Sequence, residues 1–69
     1  LFTCFNSSKD ARLIKQMLTL SGFTAKMASR NVLDICYPVV LDPDTIIGAQ
    51  KVEKTAKNAQ IDQKLFEIS

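Results

Sequence analysis

The sequence predicts a small α/β domain covering residues 1–69: a parallel sheet of about four strands, flanked by helices on both faces. Three observations carry this. Residues 1–27 read as strand, helix, strand, the shortest unit that joins two parallel strands through a covering helix. Val39, Val40 and Leu41 form a continuous apolar run, the mark of a strand buried on both sides. A second amphipathic helix follows that run, so strands and helices alternate along the chain. At 69 residues the chain is a single domain, and 46% hydrophobic side chains suffice for a modest core and argue against disorder.

In order, residues 1–5 place Leu1 and Phe5 on one face of a strand and Phe2 and Cys4 on the other, which suits a central strand. Ser7 is a helix N-cap, and Asp10, three positions on, adds a carboxylate where the helix dipole favours one. Ala11, Ile14, Leu18 and Leu13, Met17, Leu20 then build one broad apolar stripe. Ser21 and Gly22 stop the helix, with Phe23 as the apolar residue after the stop. Residues 24–30 are open between strand and helix, because Ala, Lys and Met favour helix while Phe23, Ala25 and Met27 alternate as in a strand.

Residues 32–41 are rich in β-formers, and Pro38 breaks any helix through them. Asp42, Pro43 and Asp44 make a turn, with Asp44 or Thr45 available as the next cap. Residues 48–60 form the second helix, on a narrow stripe of Ala49, Val52, Ala56 and Ala59 with an i,i+4 pair between Glu53 and Lys57. Ile61 begins a short last strand, and Leu65, Phe66 and Ile68 form a terminal helical turn.

The net charge of +2 is too small to argue for nucleic acid, and the cluster Lys51, Lys54, Lys57 reads as a solvated helix face. There is no histidine and no C-x-x-C, which argues against a structural zinc and against a Cys–His nucleophile. With scattered carboxylates, no catalytic constellation, metal site or cofactor site can be assembled, and the expectation is a non-enzymatic protein. Cys4 and Cys36 sit in apolar runs and are expected to be reduced and intracellular, the alternative being one disulfide in a secreted domain. No apolar run approaches the ~20 residues that span a bilayer, so no membrane is expected.

In these segments the chain resembles the BRCT domain. LFTCFNSS is similar to its first strand and loop, KDARLIKQMLTLSGFTAKM to its first helix and second strand, ICYPVVLDPD to its third strand, GAQKVEKTAKNAQI to its second helix, and KLFEIS to its last helix. Ser21-Gly22 stands where the family carries Gly-Gly, and Leu65-Phe66 where it carries a Trp. The resemblance implies a protein–protein interaction module in a nuclear DNA-damage, repair or chromatin-associated protein, with a partner that is phosphorylated in some members. It implies that Thr3, Cys4 and Lys51 hold the phosphate, through a hydroxyl, a backbone N–H and an ammonium. Cys4 replaces the family's Gly there.

A rival reading takes LTLSGFTAKMASRNVL as a helix-turn-helix in an all-α DNA-binding domain, with Thr24, Lys26 and Arg30 facing DNA.

Overall fold

The computed structural model describes residues 2–27, 36–43 and 45–66. Their order is β1 (Phe2–Phe5), α1 (Ser8–Leu20), β2 (Ala25–Met27), β3 (Tyr37–Leu41), α2 (Ile46–Asn58) and β4 (Gln63–Phe66). The strands form one sheet in the order β2-β3-β1-β4, and every neighbouring pair is antiparallel. This is the split βαβ, or ferredoxin-like, arrangement.

The expected parallel sheet is therefore corrected. Residues 1–5 and 39–41 do contribute adjacent central strands, but Thr3 opposes Val39 and Phe5 opposes Tyr37 in antiparallel register. The reason lies in the nine residues between β2 and β3. Parallel neighbours need a crossover of a dozen or more residues, usually helical, and this connection is shorter. The chain turns back, and β3 inserts between β1 and β2. Those two strands do run the same way, as a strand–helix–strand unit requires, but they are not neighbours. In the same fashion β1 lies between β3 and β4.

Both helices cover the same face, which corrects the expectation of cover on both. Phe5, Val39 and Leu41 of the central strands share one buried cluster with Ala11, Ile14 and Leu18 of α1 and with Val52 and Ala56 of α2. Full burial of a side chain such as Ile14 or Leu18 stabilises by about 1.5–3 kcal/mol. On the opposite face Phe2, Cys4 and Val40 form a smaller buried cluster, against which Cys36 packs.

Local signals explain the helix limits. The Ser7 hydroxyl accepts from the Asp10 N–H at 3.1 Å, and the Thr45 hydroxyl accepts from the Gly48 N–H at 3.0 Å. After α1, Gly22 takes a φ of +93°, Gly22 N–H donates to Thr19 C=O and Phe23 N–H to Leu18 C=O. These are the paired bonds of a Schellman cap. The predicted Glu53–Lys57 pair is present, Nζ to Oε1 at 3.1 Å.

Two further expectations change, and the open segment is decided. Gln63–Phe66 is an edge strand paired with β1, not the start of a helical turn, because Phe2 to Phe5 offer it a complete ladder. Ala25–Met27 is a strand, so the open segment resolves toward alternation there and the rival recognition helix is absent at those residues; residues 28–30 lie outside the described ones. Cys4 and Cys36 form a disulfide, with Cα atoms 5.6 Å apart. That separation is ordinary for a bridge. The expectation of reduced cysteines, and of the intracellular setting drawn from them, is overturned.

Candidate functional site

The three residues that the family resemblance singles out do not converge. Thr3 is fully buried in β1, and its hydroxyl donates to the Ala49 carbonyl of α2 at 2.9 Å. The proton needed for a phosphate oxygen is thus committed inside the core. Cys4 is 1% exposed with its sulfur bonded to Cys36, on the sheet face away from the helices. Lys51 is exposed on α2 and places its Nζ 4.3 Å from the centre of the Phe23 ring. A cation over an exposed ring contributes about 0.5–1 kcal/mol.

That last contact marks a different site. The α1–β2 turn and the β3–α2 connection meet at one end of the domain, where the Asp42 N–H donates to the Thr24 carbonyl at 2.8 Å. The cap at Gly22 redirects the chain so that Phe23 lies at this end. The Asp42–Pro43 peptide is cis, and Thr45 caps α2 directly after it. Between the two connections lies a cleft of about 240 Å³, lined by Phe23, Leu41, Asp42, Pro43, Thr45, Ile47, Gly48 and Lys51. Gly48 keeps the floor tight: a Cβ there would meet Leu41 Cβ at 3.3 Å.

The cleft is mainly apolar, and its rim is more so than a solvated loop requires. Ile47 is 76% exposed, Ile46 59% and Phe23 36%. Leu20, in the last turn of α1 before Phe23, is also exposed. Asp42 and Lys51 provide one charge of each sign.

A second depression, of about 270 Å³, lies along α1 between Arg12, Lys15, Gln16, Thr19 and Leu20. It is one helix's outer surface and brings no second element to bear. Among the described residues no group of three or more His, Cys, Asp or Glu side chains is gathered as a metal site would be. No helix of the described residues is long and apolar enough to cross a membrane.

Sequence reasoning did not single out Phe23 or Ile47 as a contact surface. A signal existed for Ile47. It directly follows a capped start and falls off the Ala49, Val52, Ala56 stripe, so a β-branched side chain had to point away from the core. For Phe23 there was none, since the residue after a helix stop is ordinarily apolar. Compared with protein-family models, with curated proteins and with solved structures, the chain matches none of them, and nothing there identifies it with the BRCT family.

Proposed function

We propose that this chain is a non-enzymatic protein-interaction module whose contact surface is the cleft between Phe23 and Ile47, and that it matures where thiols are oxidised. The observation that carries the reading is the size and lining of the cleft. At about 240 Å³ it lies below the ~300–1,000 Å³ typical of small-molecule sites, yet it suits an inserted side chain. Ile47, 76% exposed beside it, offers apolar area that a partner would bury. The absence of histidine from the sequence supports a non-catalytic role. The Cys4–Cys36 bridge supports an oxidising compartment, since structural disulfides are rare where glutathione keeps thiols reduced. The phosphate-binding expectation is not carried forward, because the Thr3 hydroxyl and Cys4 are buried apart from Lys51.

The test is selection from a random peptide library displayed against the oxidised chain. Peptides that bind the native chain should bind Ile47→Asp at least about tenfold more weakly, the size expected when a contact at the centre of an interface becomes charged. Selected peptides indifferent to Ile47→Asp would remove the cleft from consideration.

A further inference from the structure

Charge is divided unevenly over this molecule. Helix α1 carries Lys9, Arg12 and Lys15, and α2 carries Lys51, Lys54 and Lys57; all six are exposed, and each set is spaced by three residues. The carboxylates of the two helices are Asp10 and Glu53, and Glu53 is already engaged by Lys57. The helical layer thus holds six cations and two carboxylates, a net +4, while the whole chain is +2, so the remaining residues carry −2. The first turn of α2 has no acidic side chain, unlike that of α1, and the one carboxylate in the lining of the cleft is Asp42. Exposed apolar groups interrupt this basic surface: Leu13 and Leu20, seven residues apart on one line of α1, and Ile47 on α2.

Resting on the reading of the cleft as a docking site, we propose that its partner is an acidic segment of another protein. A large apolar side chain of that segment seats between Phe23 and Ile47, and its carboxylates lie against Lys51 and the neighbouring helical lysines. A protein fits better than the other polyanions. A bilayer surface cannot enter a concave cleft of about 240 Å³. A nucleic acid binds by stacking bases on aromatic faces, and the Phe23 ring already has the Lys51 ammonium 4.3 Å from its centre. A nucleic acid also lacks the aliphatic group that Ile47 calls for. An acidic peptide with apolar anchors supplies both, and the unpaired cations steer its approach more than they hold it.

The experiment reads the composition of peptides selected from the random library on the oxidised chain. Peptides joining Asp or Glu to large apolar residues are expected. Their affinity should fall roughly tenfold in Lys51→Glu combined with Lys54→Glu, since facing like charges carry a large penalty. The same loss should follow when Gln replaces the peptide's own acidic residues, a change that cannot disturb the domain. Affinity should also weaken between about 0.1 M and 1 M salt, where the screening length shortens from about 10 Å to about 3 Å. Neutral or basic peptides that still need Ile47 would overturn the acidic partner and leave the docking site standing. If no selected peptide depends on Ile47, both fall. Binding of phosphatidylserine vesicles through Lys51 and Lys54, with no such peptide, would overturn the proposal in favour of a lipid surface.

Discussion

The fold is two interleaved strand–helix–strand units, β1–α1–β2 and β3–α2–β4, and they differ in how they bury their helices. The frames are alike. Each helix has thirteen residues and begins on a hydroxyl cap, Ser7 or Thr45. Each ends with the same two bonds: Gly22 N–H to Thr19 C=O and Phe23 N–H to Leu18 C=O in the first, Gln60 N–H to Lys57 C=O and Ile61 N–H to Ala56 C=O in the second. The buried faces are not alike. Helix α1 presents Ala11, Ile14 and Leu18, whereas α2 presents Gly48, Ala49, Val52 and Ala56. One unit is held by volume and the other by close approach. Proximity is what lets the Thr3 hydroxyl reach the Ala49 carbonyl across the interface. The difference also places function, because the close approach at Gly48 forms the cleft floor while the wide stripe of α1 forms none.

The strongest way to break the comparison is to uncouple the units. The Cys4–Cys36 bridge joins β1 of the first to the residue just ahead of β3 in the second, over a sequence separation of 32. Closing a loop of that size removes chain entropy worth about 3–4 kcal/mol from the unfolded state. A chain of this length has a total stability of roughly 3–10 kcal/mol, so reduction should remove a third of it or more. Denaturant titration of the oxidised and reduced protein measures this directly. Coincident midpoints would mean that the two units hold each other without the bridge.

Volume against proximity can be separated by matched truncations. Leu18→Ala, at a site 2% exposed, should cost about 3 kcal/mol through lost transfer energy and a residual cavity. Val52→Ala, fully buried on α2, should cost about 2 kcal/mol, since fewer atoms are removed. Equal costs, or the reverse order, would show that α2 contributes packing beyond what its small side chains suggest.

Much of this architecture was legible in the residues, and the failures have a common cause. Hydroxyl capping at Ser7, the stop at Gly22, the burial of Val39 to Leu41 and the Glu53–Lys57 pair follow from local chemistry, and local chemistry is what a sequence displays. Strand direction is not local. It depended on the length of the connection, since the nine residues between Met27 and Tyr37 are too few for the crossover that parallel neighbours need. The broad apolar stripe of α1 likewise exceeds what the fold buries: α1 has one face against the sheet, and a six-residue stripe is wider than that face, so Leu13 and Leu20 are 46% and 80% exposed. The disulfide stood as the alternative to two free thiols, and the apolar runs around Cys4 and Cys36, which suit either state, did not decide between them. Of the site, only Lys51 was named in advance, for a phosphate, while the spacing that relates Lys9, Arg12 and Lys15 to the lysines of α2 was visible but had no meaning until both helices were on one face.

The smallest effects lie at the two caps and test whether the units' frames are as alike as their hydrogen bonds. Gly22 has a φ of +93° and Gln60 a φ of 57°, both in the region that L side chains enter at a cost. A Cβ added at Gly22 would meet nothing within 4 Å, so Gly22→Ala isolates the backbone penalty, about 1 kcal/mol of lost stability. Gln60 already bears that penalty. Gln60→Gly should therefore stabilise, but by only about 0.5 kcal/mol, because glycine also frees the unfolded chain. For a domain of this size that is a rise in Tm of roughly 2–4 °C. Opposite signs in thermal denaturation would establish that both helices use the same stop and that only the first carries the residue suited to it. A loss of stability in Gln60→Gly would mean that the Gln60 side chain contributes an interaction at the end of α2 that outweighs its backbone strain.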